Sequence, residues 1–147
     1  MLIQTKYLND IEITKEQILS FPSGILGFEN HHEFVLLDIP DNDHFKFLQD
    51  IKNSYVAFLL INPWDFFKDY DIELPDEEIN KLGFDPLDKN QMAIYNIVTI
   101  GKIFKESTSN LLAPIVINQI DKKEKHFILN DSPYTTKHKL FYEGLGE

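Results

Sequence analysis

The groups of this 147-residue chain that could move protons or hold a metal are five histidines and 24 carboxylates, and their spacing decides what they can do. His31 and His32 are adjacent, so on a strand they point to opposite faces, while His44, His126 and His138 stand apart in sequence. None of these intervals matches the paired ligands of a zinc site. Asp41, Asp43 and His44 form a small polar cluster, which in a turn is ordinary solvated chemistry. Asp69, Asp71 and Glu73 alternate like the opening of a calcium loop, but that frame lacks the glycine at its sixth position and has Asn80 where the twelfth should be glutamate. The chain contains no cysteine, which removes disulfides, thiolate ligands and cysteine nucleophiles. A nucleophile elbow, a P-loop and a dinucleotide fingerprint are also absent. The sequence therefore predicts no enzyme, no metal and no cofactor.

Two stretches carry residue types suited to binding instead of catalysis. Phe21-Pro22-Ser23-Gly24-Ile25-Leu26-Gly27-Phe28-Glu29 sets two glycines and a proline among large apolar side chains. Proline fixes φ and each glycine allows a positive φ or a close backbone approach, so the stretch reads as a shaped loop anchored by Phe21, Ile25, Leu26 and Phe28. It serves either as a tight packed turn or as an ordered recognition loop. Further on, Trp64, Phe66, Phe67 and Tyr70 are interleaved with Asp65, Asp69 and Asp71. That mixture suits a local aromatic core or a protein-binding patch.

Charge narrows the partners. The formal net charge is -10, and every one of the 14 basic residues is lysine. A surface of this sign repels phosphate backbones, and without arginine it lacks the bidentate fork that grips phosphate and guanine, so no direct nucleic-acid binding is expected. Acid is concentrated between Asp65 and Asp88, where only Lys68 and Lys81 oppose it. Such a face gives plain solubility or attracts a basic protein. The longest apolar run, Val56 to Ile61, is too short to span a membrane, and Met1 to Asp10 has no basic stretch leading into an apolar one. These features predict a soluble cytoplasmic protein that forms a single domain over residues 1–147.

The elements that must position these stretches are mostly strands. Leu2 to Ile13 reads as a hairpin turning at Asn9-Asp10, and Thr14 to Gln17 has the form of a capping box before Ile18. Glu33 to Ile39 reads as a strand stopped by Pro40, with Asp41-Asn42-Asp43 as the turn and Phe45 to Asp50 as the next strand. Tyr55 to Ile61 reads as the strand buried on both faces. One short helix fits Pro75 to Leu82, with acid in its first turn and Gly83 as its stop. Met92 to Ile100 reads as a long strand, Ser107 to Asn110 as a turn, and Leu111 to Asn118 as an apolar run kinked at Pro114. A hairpin tip is expected at Asp121 to Glu124, and Pro133 to Tyr142 has the spacing of a closing helix. The fold class expected is mostly β, a small antiparallel β-barrel or sandwich with one or two short helices.

The order and spacing of four segments resemble the FliW family of bacterial flagellar assembly factors: the Phe21 to Glu29 loop, Phe47-Leu48-Gln49, Ala57-Phe58 with Asn62-Pro63, and Asn110-Leu111-Leu112-Ala113-Pro114-Ile115-Val116-Ile117-Asn118. Where that family commonly has glutamine in its penultimate strand, this chain has His126-Phe127. The resemblance implies a β-barrel-like fold without catalytic activity. It also implies a cytoplasmic protein that binds flagellin and the RNA-binding translational regulator CsrA, relieving repression of flagellin synthesis until free flagellin occupies it. On this reading partner contacts are expected from Ile25, Phe28 and Glu29 and from Trp64, Asp65, Asp69, Tyr70 and Asp71. Pro22, Gly24, Gly27, Asn110, Pro114 and Asn118 are expected to shape the backbone. The alternatives are a small β-barrel carrier of an apolar ligand, which the aromatic content would suit, and an unrecognised hydrolase, which the scattered histidines do not favour.

Overall fold

Most strands of this chain are apolar on both faces, which an antiparallel sheet tolerates only when both faces are covered. The computed structural model, which describes residues 1–83, 92–118, 123–129 and 132–141, shows how that is arranged. A hairpin of β1 (Leu2–Gln4) and β2 (Asp10–Glu12) stands apart from the main sheet and turns at Asn9, whose φ is +61°. The main sheet begins with β3 (Ile18–Ser20), β4 (Glu33–Ile39), β5 (Asn42–Asp50), β6 (Ala57–Ile61) and β7 (Met92–Thr99), each antiparallel to the one before it. Beyond β7 come β8 (Thr108–Ser109) and β11 (His138–Lys139), while β9 (Ile115–Asn118) and β10 (Lys123–His126) lie beside β3.

β9 also pairs with β7, so the sheet curls until its strands nearly meet. Among the described residues one parallel pair, Lys123↔Ser20, joins β10 to β3. Among the described residues the result is a curled, barrel-like sheet whose β3–β10 seam carries that one pair.

Inside the curl, Leu19, Phe34, Leu48, Leu60, Ile115 and Ile117 form the largest buried cluster, with Phe21 and Ile25 closing one end. Burying side chains of this size fully contributes about 1.5–3 kcal/mol each. The outer face is covered piece by piece. Ile3 and Ile13 of the hairpin region pack on Val35 and Leu37, and Leu140 packs on Phe45, Ile61 and Val98. The helix α1 (Asp76–Lys81) leads into Leu82, which packs on Val116 and Phe127. Pro75 sits at its N-cap, three acids fill its first turn, and Gly83 ends it with a φ of +78°.

Several local expectations change. Pro133 to Tyr142 forms no helix in its described part; His138 and Lys139 pair with β8, and the Thr135 carbonyl accepts from Leu111 and Leu112. Helical spacing was present, but the sheet edge at β8 claims the backbone, and Tyr142 lies outside the described residues. Thr108 and Ser109 are a strand, not a turn. The turn before β5 falls at Pro40-Asp41, with Asp41 at φ +62°, so Asn42 and Asp43 already belong to the strand. The hairpin between β9 and β10 is present, but its residues 119–122 lie outside the described set.

Candidate partner-binding site

The Phe21 to Glu29 loop is fixed from both ends. Phe21 and His32 clasp its base, the Phe21 N–H donating to the His32 carbonyl at 2.7 Å. Gly24 takes a φ of +70° and packs so closely on Glu29 that a Cβ would lie 2.6 Å from the Glu29 Cα. Gly27 has φ +86° and open space around it, and its N–H reaches the Glu29 carboxylate at 3.2 Å. Ile25 and Phe28 form an isolated bridge, and Phe28 lays its ring edge-on to Phe58 at 5.1 Å while remaining 40% exposed. Pro22 and Glu29 are exposed.

Ile25 corrects the expectation made for it. It is fully buried in the inner cluster, so it can hold the loop but cannot touch a partner. Leu26 takes the exposed place instead, and its N–H donates to His126 Nδ1 at 3.2 Å. The other ring nitrogen of His126 meets the Ala113 carbonyl at 2.9 Å, so the neutral imidazole with its proton on Nε2 satisfies both contacts. Burial pushes the His126 pKa below its ordinary value, against the opposing pull of the Ala113 bond.

The acidic-aromatic segment starts with a short 3-10 turn, Pro63–Asp65, capped by Asn62, whose side chain accepts from the Trp64 N–H at 3.1 Å. Trp64 is 38% exposed and donates its ring N–H to the Tyr70 carbonyl at 2.8 Å. Tyr70 is the second correction. It is 4% exposed and belongs to the core, its hydroxyl donating to the Leu111 carbonyl at 2.6 Å and accepting from Asn96. Burial pushes its phenol up to about 12, against a lowering by the Asn96 hydrogen bond. Asp65 meets His44 at 3.2 Å, while Asp69 and Asp71 are exposed. Past Asp71 the exposed acids continue through Glu73, Asp76 and Glu77, so the acid forms a strip leading onto α1.

The strip and the loop meet at a groove of about 600 Å3. Its lining combines Leu26 of the loop, Glu73, Leu74, Pro75 and Glu78 around the start of α1, and the stretch from Lys125 to Leu129. Glu78 is paired with Lys125 at 2.6 Å, which holds its pKa below the usual carboxylate range. Ile128 is 56% exposed between buried Phe127 and Leu129. Sequence reading missed Leu26, His126 and Ile128; Phe127-Ile128-Leu129 is apolar throughout, so no alternation in the sequence marked which of the three faces out. None of the residues expected to make partner contacts, Ile25, Phe28, Glu29, Trp64, Asp65, Asp69, Tyr70 and Asp71, is among those lining this groove.

Asn110, Pro114 and Asn118 shape the backbone behind it. Asn110 Oδ1 accepts from the N–H groups of Leu112 and Ala113, Pro114 precedes β9 and its carbonyl accepts from Phe127, and Asn118 Nδ2 donates to the Leu82 carbonyl at 2.8 Å. Among the described residues no group of three or more His, Cys, Asp or Glu side chains is placed to hold a metal.

The family model described as FliW protein matches residues 2–140. The chain belongs to the FliW family. It is 41% identical to the flagellar assembly factor FliW of Geobacillus kaustophilus, with 97% of each chain covered. The FliW of Bacillus subtilis is 37% identical over 95% of this chain and 96% of its own, and that of Alkaliphilus metalliredigens 38% identical over 97% and 88%. A crystal structure of the flagellar assembly factor FliW, 38% identical, superposes with a TM-score of 0.90 over 97% of this chain and 99% of that one. The curled sheet with a covered outer face is thus the FliW fold. No helix among the described residues is long and apolar enough to cross a membrane.

Proposed function

We propose that the chain is a cytoplasmic flagellar assembly factor that works by binding, not catalysis, holding free flagellin and antagonising the translational repressor CsrA. The observation that carries this reading is the FliW match over nearly the whole chain. The acidic strip from Asp69 to Glu77 supports it physically. CsrA presents a basic RNA-binding surface, and an acidic partner without arginine is drawn to that surface without itself gripping RNA. Flagellin occupying the factor frees CsrA to repress flagellin synthesis, and export of flagellin reverses the switch.

A carrier of an apolar ligand has less support. It needs an interior cavity of about 300 Å3 or more, and Phe34, Leu48, Leu60 and Ile115, each 0% exposed, fill the inside of the curl.

The test is isothermal titration of the purified chain with CsrA at low and moderate salt, repeated after saturation with flagellin. Micromolar or tighter binding that weakens with salt and disappears with flagellin is expected. Absence of heat with either protein, from folded samples, overturns the reading.

A further inference from the structure

The hairpin of β1 and β2 leaves one strand edge open. The Ile13 N–H donates to the Met1 carbonyl and the Thr5 N–H to the Asn9 carbonyl, so residues 1, 3 and 5 make the hydrogen bonds to β2. In antiparallel pairing the residues between them turn their backbone groups the other way. Leu2, Gln4 and Lys6 therefore form a row on the outer edge. Lys6 is already paired, its N–H donating to Gln49 Oε1 at 2.9 Å. Leu2 and Gln4 have no backbone partner on that side among the described residues.

This edge is a wall of a groove of about 490 Å3, whose other wall is the turn from Ile51 to Tyr55. Gln49 builds the groove: buried itself, it holds Lys6 with its carbonyl oxygen and turns Nε2 toward the carbonyls of Asp50, Asn53, Ser54 and Val56 at 3.0–3.4 Å. The rims are apolar and unpartnered, Leu2 being 64% and Tyr55 81% exposed. The lining is otherwise neutral, because Gln4, Asn53 and Ser54 carry no charge and Lys52 is paired with Glu33 at 2.7 Å.

We propose that the open edge of β1 and the groove beside it receive an extended peptide segment of a protein partner. The segment pairs its main chain with Leu2 and Gln4 and seats an uncharged, apolar side chain between Leu2 and Tyr55. Alternating N–H and C=O groups two residues apart are matched by another strand, and main-chain pairing of this kind supplies affinity while side-chain pockets supply selection. The open edge from Leu2 to Gln4 offers a length of about three residues at roughly 3.3 Å per residue. A second copy of this chain is disfavoured as the occupant, because each copy carries a formal net charge of -10 and the two repel one another. The site shares no residue with the acidic groove, and the proposal stands whether or not the CsrA reading holds.

The experiment uses a fluorescein-labelled peptide, acetyl-Thr-Val-Leu-Val-Thr-amide, and the same peptide N-methylated at alternate residues so that it cannot donate along one edge. Fluorescence anisotropy with the full chain is expected to show binding of the first and at least about tenfold weaker binding of the second. Gln4→Pro removes an N–H that the fold does not use, at an edge position where proline is tolerated, and is expected to weaken binding by a similar factor with an unchanged melting temperature. Tyr55→Ser, at a side chain that is 81% exposed, tests the apolar rim should the proline variant fail to fold. Equal binding of both peptides, binding indifferent to both substitutions, or no binding of the unmethylated peptide overturns the proposal. So does a concentration-dependent dimer abolished by Gln4→Pro, which would make the occupant a second copy.

Discussion

Gly24 and Gly27 lie three residues apart in one loop, both with positive φ, yet the structure assigns them different costs on substitution by alanine. Placing a Cβ in the left-handed region costs about 1–2 kcal/mol at either position. At Gly27 nothing lies within 4 Å of the new carbon, so that strain is the whole effect. At Gly24 the carbon would sit 2.6 Å from Glu29 Cα and 2.7 Å from the Glu29 carbonyl oxygen, and no rotamer change can move backbone atoms aside. The Glu29 main chain must shift by several tenths of an ångström, which disturbs the Ile25 and Phe28 bridge that anchors the loop. Adding a further ~2 kcal/mol for that displacement puts Gly24→Ala at about 3–4 kcal/mol. For a chain of this size each kcal/mol lowers the melting temperature by about 2–4 °C, so the two variants should differ by roughly 4–8 °C. The single tryptophan, Trp64, sits against Tyr70 and reports unfolding by its fluorescence in urea or on heating. Equal destabilisation by the two substitutions would refute the argument from close approach.

Three further outcomes are expected. His126 is held neutral in the fold, so the unfolded chain binds its proton more readily below the ordinary value of 6.5. Its contribution to stability is fully present above that pH and is lost as pH falls toward the depressed folded value, and His126→Gln, which can keep both hydrogen bonds, should flatten that slope in urea titrations at about pH 5 and pH 7.5. Tyr70→Phe removes the donor to the Leu111 carbonyl and should cost about 1–2 kcal/mol, while ultraviolet difference titration of the parent chain should show one phenol ionising near 12, a signal missing from the variant. Reversing Asp69, Asp71 and Glu73 to lysine should weaken CsrA binding at least about tenfold at low salt, with the gap narrowing at about 0.5 M salt; unchanged affinity would remove the electrostatic part of the proposed function.

The strand expected over Tyr55 to Ile61, which begins at Ala57 and leaves Tyr55 exposed, the helix bounded by Pro75 and Gly83, and the hairpin at Asn9 were legible because apolar runs, caps and positive-φ residues act locally. The tail from Pro133 was not, because His138 and Phe141 carry helical spacing while the pairing that decides their conformation comes from β8, about thirty residues earlier. The candidate site divides in the same way. The loop and the acidic segment were visible as stretches, but which side chain faces out depends on tertiary neighbours: Ile25 is claimed by the inner cluster and Tyr70 by Leu111 and Asn96. The organising role of Gln49 had no local signature, since its partners lie on a different element and in a turn.

The seam between β3 and β10 bears on how the molecule assembles. From β3 to β7 every strand pairs with its sequence neighbour, and the longest closure in that meander, Leu59 with Val98, spans about forty residues. Lys123 and Ser20, by contrast, are roughly a hundred residues apart, so their meeting closes a far longer loop. On that argument closure of the curl is expected late in folding, and native-state amide exchange is expected to find the β3–β10 joint, beside the Phe21 to Glu29 loop, opening before the longer β4–β5 and β5–β6 ladders.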